Sequence, residues 1–251
     1  MKIVIIGGIA AGMSIASKAI RTNPAASVTI VEKEDYISFG ACGLPYYLGD
    51  QFDDINEMFA RSVDQAQKQG INLMLKHEAI NIDFDNKLVK IRSLEEKKEF
   101  DLDYDKLVIA TGAYPLSVLE DKKNLENQYT ITKPYEVDEL KSKLSTAKNI
   151  VVIGGGFIGL EVAEQLAHLG KNVSLLQRSE MVMRRIFDPE ISNLLHEALV
   201  ENGVDLHLNT PIKDYQVENG KIKQVITEKG SFPADIVIES LGFRPNTAFI
   251  D

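Results

Sequence analysis

The chain is poor in the residues on which several common functions depend. Only one of its 251 residues is cysteine. That excludes a disulfide framework within the chain, a Cys-x-x-Cys redox pair and a cysteine zinc site. Its four histidines, His77, His168, His196 and His207, are scattered without ligand spacing. Apolar runs are short, and none approaches the ~18 residues that a membrane span requires. The apolar stretch after Met1 and Lys2, residues 3–6, is too short for the core of a signal peptide. Positive charge is also in deficit: Lys and Arg number 28 against 37 Asp and Glu, for a net charge of -9. Nonspecific nucleic-acid binding needs a basic surface, so no nucleic-acid partner is expected, and no membrane partner either. The expected setting is the cytoplasm. Hydrophobic residues make up 44%, enough for a packed core, and the length suits one large or two ordinary domains.

What the chain does contain is a strand running into a glycine-rich turn, twice, about 150 residues apart. The first is Lys2-Ile-Val-Ile-Ile-Gly-Gly-Ile-Ala-Ala-Gly12 and the second Asn149-Ile-Val-Val-Ile-Gly-Gly-Gly-Phe-Ile-Gly159. Each predicts a buried strand, a tight turn and a helix, the geometry that places a pyrophosphate on a helix N-terminus. The first helix is expected from Gly12 to Arg21, followed by a strand from Val28 to Val31. Ser62 with Gln65 has the pattern of a capping box. Residues 79–110 alternate as an antiparallel meander leading into a buried strand. The polar stretch 119–128 is the candidate linker. Helices are expected over 134–144, with Pro134 in the first turn, and 189–201, and Asn219-Gly220 marks a hairpin. The expected class is therefore α/β, with two Rossmann-like βαβ dinucleotide-binding domains, each carrying an antiparallel meander or hairpin. Two dinucleotides and one thiol between them, Cys42, suggest electrons passing between carriers with sulfur as a relay.

The strand ends after each turn distinguish the two nucleotides. Glu32 follows the first turn at the spacing from which a carboxylate accepts both ribose hydroxyls of an adenosine. The middle glycine of that turn is Ile9, which leaves the backbone less free to approach a phosphate. The second turn has all three glycines, Gly154, Gly156 and Gly159, and at its strand end stand Gln177 and Arg178. Gln177 lacks the charge that would repel a 2′-phosphate, and Arg178 can pair with one, helped by Arg184 or Arg185. NADPH is then used at least as well as NADH. The competing reading is a solvated Arg178 beside a ribose-bonding Gln177.

Cys42 lies in Ser38-Phe-Gly-Ala-Cys-Gly-Leu-Pro-Tyr-Tyr-Leu-Gly49. Gly43 and Pro45 suggest a helix that begins there, and exposed N–H groups at a helix start favour thiolate. The alternative is a buried structural cysteine. Ser14, Lys18 and Arg21 fall at i, i+4 and i+7 on one face of the first helix. They form either a cationic stripe for phosphates or a solvated charged face.

At these residues the chain resembles the single-cysteine branch of the FAD-dependent pyridine nucleotide-disulfide oxidoreductases, and within it coenzyme A-disulfide reductase most closely. Ser38-Phe39 with Cys42-Gly-Leu-Pro-Tyr-Tyr47 resembles the thiol segment of that group. Tyr104-Asp-Lys-Leu-Val-Ile-Ala-Thr-Gly-Ala113 resembles the segment that returns to the flavin, and Leu241-Gly-Phe-Arg-Pro-Asn246 the turn near the nicotinamide. The resemblance implies Cys42 as catalytic residue. It implies FAD contacts at Gly7, Gly8, Ala11, Gly12, Glu32, Lys33, Thr111 and Gly112. NADPH or NADH contacts are implied at Gly154, Gly156, Phe157, Ile158, Gly159, Glu161, Gln177, Arg178 and Gly242, and substrate contacts at Ser14, Lys18, Arg21 and Ser38. Glu161 either sits near the nicotinamide or only caps its helix.

The implied domains are 1–115 for FAD and 116–240 for NAD(P)H, with 241–251 starting the return to the FAD domain. Members are about twice this length, so the chain reads as a fragment whose full-length form is a homodimer. Ala10 stands where oxidase and peroxidase members carry His, and Ala41 where coenzyme A-disulfide reductases carry Asn. The implied reaction is reduction of a low-molecular-weight disulfide or persulfide. The alternatives are an NADH oxidase or peroxidase acting on oxygen species, with Cys42 cycling through sulfenic acid, and a catalytically incomplete nucleotide-binding fragment.

Overall fold

A computed structural model describes residues 1–250. The chain divides into two compact units: Met1–Gly40 with Asn56–Tyr114 and the residues from Pro245 on, and Ala41–Ile55 with Pro115–Arg244.

The first unit holds strands β1 (Lys2–Ile6), β2 (Ser27–Val31) and β3 (Ile71–Met74), the antiparallel β4 (His77–Asp83), β5 (Leu88–Ser93) and β6 (Glu99–Asp103), and then β7 (Lys106–Ile109). A parallel sheet runs in the order β3-β2-β1-β7. The period of two in β1 explains its two neighbours. Ile3 and Ile5 pack with Met13 and Ala16 of helix α1 (Ala10–Thr22) and with Ala66. Val4 and Ile6 point the other way, onto Ala79, Ile82, Val89 and Ile91 of the meander. The expected capping box is formed: Ser62 Oγ accepts the Gln65 N–H at 3.2 Å and Gln65 Oε1 accepts the Ser62 N–H at 3.0 Å. α1 begins at Ala10, two residues before the expected Gly12; glycine is disfavoured in a helix and reads as turn, which sets the expected start too late.

The second unit contains α2 (Leu44–Leu48), the α-helix of the Ala41–Ile55 segment; the capped helix of the first unit is α3 (Val63–Lys68). Strand β8 (Ala113–Pro115) marks the chain crossing into the second unit. There follow β9 (Gln128–Tyr129), α4 (Pro134–Lys143), β10 (Asn149–Ile153), α5 (Phe157–His168), β11 (Asn172–Leu176), α6 (Pro189–Glu201), β12 (Val204–His207), β13 (Ile212–Glu218), β14 (Lys221–Thr227), β15 (Gly230–Pro233) and β16 (Ile236–Glu239); β17 (Phe243–Pro245) marks the crossing back. The parallel sheet order is β12-β11-β10-β16-β9, and β13-β14-β15 form an antiparallel sheet. Val151 and Ile153 pack on Tyr215, Ile222 and Val225 of that hairpin. Its turn has left-handed backbone at both Asn219 (φ 52) and Gly220 (φ 77), as a type I′ turn requires.

The stretch 119–128 is not a loose linker. Asn127 is buried, donates through Nδ2 to Ile222 O at 2.8 Å and Asp235 O at 2.9 Å, and accepts the Ile222 N–H at 2.8 Å. Gln128 and Tyr129 add the fifth strand to the sheet. A two-residue strand behind a polar run carries no periodicity to read.

Candidate functional site

In the first unit the chain leaves β1 at Gly7 with φ +104, and a Cβ there would lie 2.2 Å from the Ala110 carbonyl oxygen. Both the angle and the space demand glycine. Gly12 lies against the Gly7 carbonyl oxygen, 1.7 Å from where its own Cβ would be. Glu32 fastens the turn from the end of β2. It is 6% exposed; its Oε2 accepts the Gly8 N–H at 2.5 Å and its Oε1 the Glu34 N–H at 2.9 Å. Burial pushes its carboxyl above the ordinary carboxylate range, and these backbone bonds only partly oppose that.

The second unit repeats the construction. Gly154 has φ +107 and its Cβ would lie 2.3 Å from Ser240 O, while that of Gly159 would lie 1.9 Å from Gly154 O. Gln177, at the end of β11, accepts the Gly155 N–H at 3.0 Å. Gly7, Gly8, Gly12, Glu32 and Ala110 thus have counterparts in Gly154, Gly155, Gly159, Gln177 and Ser240. The middle position differs. Gly156 has φ -92 and open space where a Cβ would be. No protein atom demands glycine there, and Ile9 stands at the matching place of the first turn with φ -89. The room left at Gly156 suits the close approach of a pyrophosphate, with the free N–H groups of α5 behind it. Two residues after Ala110 and Ser240 stand Gly112 (φ +64) and Gly242 (φ +93), each with no neighbour where a Cβ would project. Thr111 donates from Oγ1 to Asn246 O at 2.7 Å.

Around the second turn, Gln177 Nε2 donates to Ser179 Oγ at 2.7 Å and Met181 O at 3.1 Å, so the amide organises the loop as well as the turn. Arg178 is exposed and has no ion-pair partner among the described residues. Arg184 pairs with Glu180 at 3.0 Å, a solvent-exposed pair of little energy. Phe157 is exposed and meets Phe187 edge to face, and Ile158 is half-buried. Glu161 is the fifth residue of α5, and that helix has no side-chain cap, so the capping alternative is not what the structure holds. Its carboxyl is half-buried, pushed above the ordinary range by burial and then by the charge of Glu164.

The remaining candidates fall on three other surfaces. Ser14, Lys18 and Arg21 are all exposed on α1; Ser14 Oγ donates to Ala10 O at 2.7 Å, and Ser14 and Lys18 border an open hollow of about 420 Å³ with Ile15, Ala19 and Thr22. Ala11 is exposed, and Lys33 is paired with Glu78 at 2.7 Å. Ser38 has left-handed backbone (φ 55), its N–H bonded to Gly8 O at 3.1 Å.

Cys42 is exposed, which rules out the buried structural reading. It sits in the single 3-10 turn Ala41–Gly43, immediately before α2. The expected helix with Pro45 in its first turn is present, but it has five residues, so its dipole is a small one. Sequence reasoning missed the residues that fasten this segment. Tyr47 donates to Asp138 at 2.6 Å; Lys141 Nζ donates to Tyr47 O at 2.6 Å and pairs with Asp50 at 2.8 Å; Gln51 donates to Gln165 at 3.1 Å. Asp138 shifts the Tyr47 hydroxyl to about 12, with burial adding to the effect. Among the described residues no group of acidic, histidine and cysteine side chains could hold a metal ion, and no helix is long and apolar enough to cross a membrane.

Comparison with known proteins gives a consistent result. The family model described as pyridine nucleotide-disulphide oxidoreductase matches residues 1–251. An NADH oxidase of Enterococcus faecalis is 32% identical over 251 residues, 100% of this chain and 56% of that protein. An NAD(P)H coenzyme A polysulfide/persulfide reductase of Pyrococcus horikoshii is 35% identical over 98% of this chain and 54% of its own length. Among solved structures, an engineered water-forming NADPH oxidase bound to NADPH, a mutant of the Lactobacillus brevis NADH oxidase, superposes with a TM-score of 0.91. It is 31% identical, over 99% of this chain and 55% of that one. The chain spans about half the length of the relatives it matches.

Proposed function

The chain belongs to the pyridine nucleotide-disulphide oxidoreductase family, and on that premise we propose that it serves an FAD-dependent NAD(P)H oxidoreductase that reduces a low-molecular-weight disulfide or persulfide, such as that of coenzyme A, through Cys42. The observation that carries this reading is the pairing of two dinucleotide turns of the same construction with one exposed thiol. In it, residues 1–115 hold FAD, through the Gly7 to Gly12 turn and Glu32, whose oxygens keep lone pairs for ribose hydroxyls. Residues 116–240 hold NAD(P)H at the Gly154 to Gly159 turn, with Glu161 beside the nicotinamide. Bound flavin supplies the hydride acceptor and the two-electron relay to sulfur. Cys42 thiolate attacks one sulfur of the disulfide, the S–S bond breaks, one thiolate leaves and takes up a proton, and a mixed disulfide remains on Cys42. The two electrons of NAD(P)H then break that second bond, which restores Cys42 and releases the other thiol. Lys18 and Arg21, with Ser14 and Ser38, are the proposed phosphate and substrate contacts.

NADPH is the nucleotide we favour. The engineered NADPH oxidase has alanine for aspartate, arginine for alanine and serine for methionine at three consecutive positions, and arginine for proline five residues further on. This chain has Gln177, Arg178 and Ser179 in succession and Arg184 five residues on. The absent acid and the unpaired Arg178 support a site for a 2′-phosphate.

The relatives named NADH oxidases support a second reading, in which peroxide oxidises Cys42 to sulfenic acid and NAD(P)H reduces it back, with release of water. Ala10 weighs against it. The test uses the full-length protein with NADPH or NADH, supplied either with coenzyme A disulfide or with oxygen alone. We expect disulfide-dependent oxidation that is at least as efficient with NADPH, and its fall to background in Cys42→Ser. Turnover that survives this substitution overturns the sulfur relay, and a strong NADH preference overturns the nucleotide assignment.

A further inference from the structure

Gln165 is out of place by the logic of its own helix. It lies on the buried face of α5 beside Val162, Ala163 and Leu166, and is 5% exposed. A buried amide is costly unless bonded, and an apolar residue would serve α5 as well. Its side chain is spent instead on the segment that carries Cys42. Gln165 Oε1 accepts from Gln51 Nε2 at 3.1 Å. Gly49 lies so close that a Cβ on it would be 2.2 Å from Gln165 Oε1 and 2.7 Å from Gln165 Cβ. Gly49 has φ -84, which any residue adopts, so space rather than conformation requires glycine there. A buried glutamine and a glycine without conformational cause are fitted to each other. The Tyr47–Asp138 bond and Lys141, which reaches both Tyr47 O and Asp50, fasten the same segment to α4.

We propose that Gln165 is a positioning residue for Cys42: it locks the Ala41–Ile55 strap onto the helix that begins at the nucleotide turn, with the Tyr47–Asp138 bond as a second anchor. The inference rests on the reading of Cys42 as the redox thiol. Cys42 sits near the start of this strap, in a short 3-10 turn followed by a five-residue helix. Neither element is long enough to hold a fixed place without tertiary contacts. Gln165 touches the strap at Gly49 and Gln51, seven and nine residues beyond the thiol, and does not touch the sulfur itself.

The test compares wild type, Gln165→Leu and Gly49→Ala in the full-length protein. Leucine keeps the volume and removes the bond; alanine opens the same contact from the strap's side, should the first variant fold poorly. The first readout is hydrogen exchange over residues 41–50. We expect it to be accelerated about tenfold or more in both variants, while exchange over 150–162 stays as in wild type. The second is kinetic. We expect kcat for disulfide reduction to fall about tenfold or more, as small misplacements of reacting groups do, with KM for NADPH unchanged. Unchanged exchange in the strap overturns the proposal, and so does accelerated exchange with unchanged kcat. Cys42→Ser keeps the two ideas apart: faster exchange in the variants, together with full turnover in Cys42→Ser, upholds the lock and refutes the sulfur relay.

Discussion

At the ends of β2 and β11, Glu32 and Gln177 each accept an N–H from the second glycine of the preceding turn, yet only one of them is an acid. Gln177 organises its turn without charge. Glu32 does so as a buried group whose folded pKa lies above its ordinary 4.5, chiefly through burial. The sign follows from linkage. A raised folded value contributes stability that is fully present below about pH 4.5 and is lost as pH rises through the higher folded value. The advantage of wild type over Glu32→Ala in unfolding free energy should therefore be larger at pH 4.5 than at pH 7.5, read from denaturant midpoints at the two values. An advantage that grows toward neutral pH would mean the hydrogen bonds outweigh burial. Glu32, Gly7 and Gly12 were all legible in the sequence, because spacing alone places them. Gln165 was not: a glutamine within a helix ordinarily faces water, and only the glycine opposite reveals its task.

Among the elements, those with a strong local signal were readable and those fixed by distant partners were not. Pro134 opens α4, Ser62 caps α3, and Asn219-Gly220 turns β13 into β14. Each is decided by residues within a few positions of one another. The hairpin gives a direct check. Gly220 at φ 77 has nothing near its Cβ position, so an alanine there meets only the left-handed backbone penalty. Gly220→Ala should lower the unfolding free energy by about 1–2 kcal/mol, measured by urea titration, with no effect on nucleotide affinity. By contrast β9 and Asn127 owe their place to Ile222 and Asp235, residues about a hundred positions away, and no local pattern announces them. The packing of Ala41–Ile55 with the second unit is hidden for the same reason, since it depends on α4 and α5.

For the whole molecule, the proposed reading gives two turns of one design two nucleotides, and the turns differ in the residue at the strand end, Glu32 or Gln177. Oxidised NADP should slow hydrogen exchange over 154–162 and 177–184 and leave 3–12 as it was; ligand present at a hundred times its Kd stabilises its site by about 2.7 kcal/mol. Protection that instead appears over 3–12 would exchange the assigned roles of the turns. The fastening of the thiol strap also bears on how the protein is made. Gln51 precedes its partner Gln165 by 114 residues. At ~5–20 residues per second of translation, the strap waits on the order of ten seconds before its glutamine anchor leaves the ribosome. During that interval the segment that carries Cys42 has no anchor on α5, and the thiol is exposed before and after the anchor arrives.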